Sequence, residues 1–406
     1  AGRLVGSLRF LTDTDLSQLM ESLDLTEREL MRDPAGVYPK MSASSRAMYR
    51  REIERSAAKH RQPEHIWARR AVRRAERAGG RLRHVGFHIF TEPHGGTAYI
   101  AANVVGTLFF TLLAGFELGF AAACALLLPV SAAVRSVTDS ILLRVLKAAP
   151  LPRLELSSVP DEGRTVCAVS ALITGPGCGR ELAARLEEYH LCSRGAGKNL
   201  VFALLADLPE AKSETMPADA GSVAAARAAV DALNEKYGGG FYLLIRKRRE
   251  NARDGVWTPH ERKRGALMAL AALCSGMYSE LECLSGDAET LAGARYILAL
   301  DADTTLLPGA ARELIGAMLH PLNRAVIDPR TETVASGRGI IHPRVSVELA
   351  ASERTRFART VAGPGGVGPY GSVCGEVWMD LTGRGGFAGK GIIDVRALLE
   401  CCSSLP

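Results

Sequence analysis

Two aspartates, Asp301 and Asp303, stand one residue apart in LALDADTTLLPG, where an aliphatic run gives way to a polar pair and Pro-Gly. Strand interiors disfavour acids, so two carboxylates at a strand's end have one of two uses. They cap the helix that starts near Pro308, or they offer hard oxygen donors to a cation. A D-x-D at a strand end suits Mg²⁺ or Mn²⁺ held jointly with a substrate's phosphates, and a sugar nucleotide is such a substrate. Its departing diphosphate develops negative charge that a divalent ion stabilises. Two further groups bear on the choice. Asp207 ends a second apolar run, NLVFALLAD, where a nucleotide-binding sheet is expected to contact uracil or ribose. Arg262, Lys263 and Arg264 crowd a predicted helix start, where cations beside backbone N–H groups could hold a diphosphate. The same cluster taken alone reads as a solvated face.

Elements of the right kind surround these residues. TVCAVSALI, NLVFALLAD, FYLLIRKRR and ARYILALDAD are apolar, β-branched runs fit for strands buried on both faces. Helical signals separate them: CGRELAARLEEYHL, AGSVAAARAAVDALNEKY, ERKRGALMALAAL and, with Pro at its start, PGAARELIGAML. This alternation predicts an α/β domain with a parallel sheet, whose ligands collect beyond the carboxyl ends of the strands.

Upstream, residues 93–134 carry a single charged side chain, Glu117. Forty-two residues are too many for one membrane span of about 20 residues and enough for two. Gly115, Glu117 and Gly119 supply a turn, giving predicted spans at 99–116 and 118–134. Thirteen Lys/Arg against four Glu between Arg46 and Arg83 make the preceding flank basic, and Arg135, Arg144 and Lys147 follow the second span. Both ends of a hairpin would then lie in the cytoplasm by the positive-inside rule. Residues 13–83 read as helices joined by the Pro/Gly-punctuated DPAGVYPKM, and APLPRLELSSVPDEG as a linker. The domains expected are 1–92 helical and cytoplasmic, 93–135 a transmembrane hairpin, 136–164 a linker, and 165–406 an α/β domain truncated at its C-terminus. Nine scattered cysteines without a C-x-x-C pair point to a reducing compartment. The net charge of +6 and 47% apolar content are those of a folded protein.

Longer motifs narrow the reading. DGVWTPHERKRGAL, YILALDADTTLLPGAARELIGAMLHPLNRA and GGFAGKGIIDV, with DPAGVYPKMSASSRAMYRREIE and RHVGFHI before them, resemble the glycosyltransferase family 84 domain of bacterial cyclic β-1,2-glucan synthases. The resemblance implies a GT-A-like, mostly parallel sheet flanked by helices, preceded by a helical region and a transmembrane hairpin. It implies an inverting transfer of glucose from UDP-glucose to a growing β-1,2-glucan, at the cytoplasmic face of a bacterial inner membrane, and no nucleic-acid partner. By position, Asp303 would be the likelier ligand of the divalent cation (Mg or Mn), with Asp301 closer to the nucleotide. Asp207 would meet the uridine, Lys263 and Arg264 the diphosphate, and Phe387, Lys390, Gly391 and Asp394 the acceptor. The glycine-rich block containing these last residues also reads as a structural turn. The general base of an inverting transfer would lie beyond Pro406, so the catalytic residue is unknown. His260, Ala266, Gly368 and Met379 depart from the family's pattern. Rival readings are another processive membrane polysaccharide synthase, and a catalytically incomplete membrane scaffold with a transferase fold.

Overall fold

The structure, a computed structural model, describes residues 23–90, 96–145, 150–343, 345, 348–361, 376–383, 385, 387 and 389–403. It divides into two units, the first taking in residues 1–90, 151–343 and 389–406, the second residues 91–150 and 344–388.

In the first unit, three helices come from the N-terminal region: α1 (Leu25–Leu30), α2 (Ala43–Lys59) and α3 (Glu64–Arg77). Asp24 caps α1 and Ser42 caps α2 through their side-chain oxygens. Leu30, Tyr38, Tyr49, Ile53, Ala68 and Val72 close a small core between them. A buried polar chain then fastens this region to the rest of the unit. Asp33 accepts from His84 Nδ1 at 2.8 Å, and Tyr49 Oη lies 2.6 Å from His84 Nε2 and 3.3 Å from His320 Nε2. Residues 151–156, expected within a linker, are also tied down: Leu154 bonds Gly316, Glu155 bonds Lys40, and Ser42 bonds Arg153 through their backbones. Gly316 permits this approach, because a Cβ there would stand 2.4 Å from the Leu154 carbonyl oxygen.

The four predicted strands all form. They are β1 (Thr165–Leu172), β2 (Leu200–Asp207), β3 (Phe241–Arg246) and, after the antiparallel β4 (Leu281–Ser285), β5 (Tyr296–Asp301). Two short strands, β6 (Ile340–Ile341) and β7 (Gly391–Asp394), extend the other side. The order is β6-β7-β5-β1-β2-β3-β4, with β5, β1, β2 and β3 mutually parallel. The fold is therefore a mixed α/β one with a seven-stranded, mostly parallel sheet. Successive residues of β2 feed opposite cores: Phe202, Leu204 and Ala206 one, Val201, Ala203 and Leu205 the other. Burial on both faces is why these strands read as continuous apolar runs. Helices α6 (Pro176–Cys192), α7 (Asp219–Tyr237) and α9 (Ala310–Leu319) cover one face. Helices α8 (Arg262–Cys274) and α10 (Val395–Cys402) cover the other.

The second unit holds two apolar helices, α4 (Gly96–Leu118) and α5 (Phe120–Val145), joined at Gly119 with φ +87°. They run beyond the predicted 99–116 and 118–134: Glu117 stays helical, and α5 continues through Pro129 past Arg135. Gly106 against Val134 and Gly115 against Ala123 let the two pack closely. Tyr99 donates to Asp139 at 2.7 Å. Both helices are long and apolar enough to cross a bilayer, and neither is buried, unlike a core helix of the same composition. They point to membrane association. Residues 344–388, expected inside the α/β domain, group with these helices. Gly368 lies outside the described residues, as does Lys147. The eight cysteines among the described residues are free thiols.

Candidate active site

From β1 the chain adds β2 and then β3 on one side, and later places β5 on the other side of β1. In sheets of this kind, such a change of direction makes the carboxyl ends of β1 and β5 the usual place for a ligand. Asp301 is the last residue of β5, and its carbonyl accepts from Thr304 N at 3.1 Å, closing a tight turn. Tyr189, projecting from α6, donates to the carbonyl oxygens of Asp301 and Thr304, so the turn is pinned from beneath.

Two lysines converge on the Asp301 carboxylate. Lys263, in the first turn of α8, bonds Oδ1 and also the Gly389 carbonyl; Lys390 lies 3.2 Å from Oδ2. All three side chains keep a quarter to a third of their surface exposed. Burial acts to raise the Asp301 pKa, but bonding and charge from Lys263 and then Lys390 hold it below the ordinary carboxylate range. Two ammonium groups against one carboxylate leave a positive excess at a partly open sheet edge. Arg262 adds an exposed guanidinium with no hydrogen bond or ion pair among the described residues. Arg264 turns the other way, to Glu261 at 2.9 Å and the Cys402 carbonyl at 3.5 Å.

Asp303 is exposed and, among the described residues, makes no hydrogen bond or ion pair. The buried hydroxyl of Thr304 beside it has no partner there either. A divalent ion shared with phosphates needs only one or two protein carboxylates, so Asp303 fits that use. Asp301 does not fit it without giving up its lysines. No cluster of three or more His, Cys, Asp or Glu side chains suited to a metal occurs among the described residues.

No family model matches the chain. Over 248 residues it is 36% identical to the cyclic beta-(1,2)-glucan synthase NdvB of Rhizobium meliloti (strain 1021), a match covering 60% of this chain. The chain carries a β-glucan synthase-related domain. The match spans 9% of the length of that synthase.

Asp207 serves a different purpose from Asp301. It ends β2, two strand spacings or about 10 Å across the sheet from β5. Both its oxygens are taken by Arg246, at 2.9 and 2.6 Å, and both side chains are buried. The guanidinium goes on to the carbonyls of His260 and Arg262, at 2.9 and 2.7 Å. Those bonds hold a loop in which Glu261 and Arg262 both have positive φ, +52° and +41°. Non-glycine residues in that region cost roughly 1–3 kcal/mol each and cluster at functional sites. Gly265 completes the arrangement, since a Cβ there would stand 2.2 Å from the His260 carbonyl oxygen. Asp207 thus reaches the site through Arg246 and the loop that launches Lys263.

The glycine-rich block divides. Lys390 is at the site, and Gly391, with φ +150°, packs where a Cβ would meet the Ile341 carbonyl oxygen at 2.7 Å. Asp394, expected on the acceptor side, lies apart from Lys390 and Asp301. Because β7 runs antiparallel to β5, Asp394 pairs with Tyr296, at the opposite edge and about 17 Å from Asp301. There it caps α10 through Ala397 N at 3.1 Å and lies 3.8 Å from Arg295. Phe387 is exposed and belongs to the second unit, as does Met379. Ala266 is buried in the core beneath α8 and His260 is exposed.

Sequence reasoning missed Arg246 and Tyr189. The signal for Arg246 was an arginine ending an apolar strand beside one that ends in an acid, an opposite-charge pair once the register is known. Tyr189 is the last step of the stripe Leu182, Leu186, Tyr189 that α6 buries.

Proposed function

We propose that this chain is the donor-binding part of a membrane-associated, inverting glucosyltransferase of GT-A-like fold that elongates a β-1,2-glucan from UDP-glucose. The observation that carries the reading is the Lys263–Asp301–Lys390 cluster at the switch point of the sheet, in a domain related to a β-glucan synthase. Asp301 holds the two ammonium groups apart at the carboxyl ends of β1 and β5. A diphosphate entering there exchanges one carboxylate for several phosphate oxygens as acceptor, a charge-assisted contact that strengthens as the leaving group gains charge. Arg262 adds to the same field. Asp303 would hold a divalent cation, Mg²⁺ or Mn²⁺, which supplies Lewis-acid stabilisation of the departing diphosphate. Arg246 and Asp207 position the strained loop, and Tyr189 the turn. The growing glucan is the acceptor, its hydroxyl displacing UDP with inversion. The domain would work at the inner face of a bacterial membrane, a reading that the two apolar helices support.

Titration calorimetry of the full chain with UDP-glucose and Mn²⁺ tests this. Saturable binding is expected, weakened by Lys263→Ala and by Asp303→Ala, the latter with loss of metal dependence. Binding indifferent to both substitutions would sink the assignment.

A further inference from the structure

We propose that the outward face of α3 is a docking surface for anionic lipid headgroups. At 100° per residue, Arg70, Arg73, Arg74 and Arg77 fall within about 100° of arc. The helix buries Ala68, Ala71, Val72 and Ala75 on the opposite side. The two acids of α3, Glu64 and Glu76, lie outside the arginine arc. The acids near this helix are already used inside the fold: Glu29 takes Arg69 and Arg32, Glu27 takes Arg50, and Asp33 is buried against His84. Arg73, Arg74 and Arg77 are exposed and make no hydrogen bond or ion pair among the described residues. Arg70 donates to the neutral Gln62 and lies over the Trp67 ring, and it meets no acid among the described residues.

Lipid is favoured over other polyanions by the chain itself. The segment Val85–His88 packs on α3, and soon after it the chain takes only six residue-to-residue steps from Phe90 to Gly96, at most about 21 Å, to reach the first apolar helix. A basic face tethered that closely to a membrane span meets headgroups at high effective concentration, and each arginine near an anionic surface strengthens attachment roughly five-fold. The proposal rests on the membrane reading given above, so its test separates the two.

Trp67 lies beside the arginine arc, stacked on His60 at 4.3 Å, and serves as reporter once Trp257 and Trp378 are replaced by Phe. The full chain is placed in nanodiscs of brominated phosphatidylcholine, with or without about a third brominated phosphatidylglycerol. Quenching of Trp67 is expected to rise at least about two-fold with the anionic lipid and to fall again in high salt. Arg73→Gln, Arg74→Gln and Arg77→Gln together should abolish that rise, a loss of roughly 100-fold in attachment, while the three Arg→Lys changes should keep it. A Phe109→Trp reporter in a Trp67→Phe background reads the hairpin separately. If it is quenched but Trp67 ignores phosphatidylglycerol, the lipid surface is wrong and the membrane reading stands. An unquenched Phe109→Trp reporter overturns both. If poly(U) RNA shields Trp67 and the anionic lipid does not, the partner is a nucleic acid and the proposal fails.

Discussion

Two strands of the same sheet, β2 and β5, each end in an aspartate, yet the two acids live in opposite circumstances. Asp207 is sealed: its side chain is 5% exposed, its partner Arg246 2%, and both oxygens are engaged in fork geometry. Asp301 is 36% exposed, and its partners are two lysines, whose flexible ammonium groups can rotate toward an incoming anion. The sealed pair is architecture, holding the His260–Arg262 loop in a strained shape. The open trio suits a binding site, because its cations can change partners without unfolding anything. An acid at a strand's end says little about its use; the rigidity and exposure of its counter-charge say more.

The largest effect should come from breaking the sealed pair. Asp207→Ala leaves a guanidinium buried without its counter-charge, and a loss of about 3–5 kcal/mol in stability is expected by urea titration. Asp301→Ala should cost about 1 kcal/mol or less, since its ion pairs are partly exposed, while UDP-glucose affinity collapses. Equal stability losses for the two variants would erase the distinction drawn between them.

Next in size is the open site itself. Lys263→Ala and Lys390→Ala should each weaken UDP binding by roughly 10- to 100-fold, the worth of one charge-assisted hydrogen bond, with melting temperature nearly unchanged. A titration in rising salt sharpens the contrast further. UDP affinity should fall, whereas the stability that the Asp207–Arg246 pair contributes should hardly respond, because buried pairs are screened much less.

A third, also sealed, acid extends the comparison to pH. Burial raises the Asp33 pKa, but His84 and the Val85 and Tyr38 amides pull it below its ordinary value. Farther along the same chain, burial and then the nearby His84 push His320 well below its ordinary 6.5. The unfolded chain therefore takes up the His320 proton first. The stability this group contributes is full above about pH 6.5 and is lost as pH falls, by up to about 1.4 kcal/mol per pH unit. Urea midpoints measured across that range should decline toward acid in the native chain and much less in His320→Gln. Identical slopes would remove His320 from the account.

The smallest effect expected is that of Tyr189→Phe. Losing the phenol bonds to the D-x-D turn should cost about 1 kcal/mol and loosen Mn²⁺-dependent UDP-glucose binding more than binding without metal. A uniform change would make Tyr189 a packing residue only.

Much of the fold was legible before any coordinates. Strands buried on both faces read as near-continuous apolar runs, and TVCAVSALI, LVFALLAD and YILALD do so apart from Thr165, Ser170 and the closing aspartates. The hairpin showed itself through length and the near-absence of charge, though its ends did not, because α5 carries Arg135 and Asp139 inside the helix. Of the site, the D-x-D and the basic cluster could be found, while their partnership could not. Lys263 and Asp301 are 38 residues apart, and Arg246 and Asp207 are 39.

The amino-acid sequence by itself determined where acids, cations and membrane-length apolar runs would fall along the chain, since period, propensity and hydropathy are local properties. Only the tertiary structure decided which acid each cation meets. That choice depends on strand order and on register: β1 between β2 and β5 separates Asp207 from Asp301, and the antiparallel entry of β7 brings Lys390 to Asp301 while sending Asp394 to the far edge. Side-chain pairing over such distances follows from how sheets and helices bury their faces, and no local pattern encodes it.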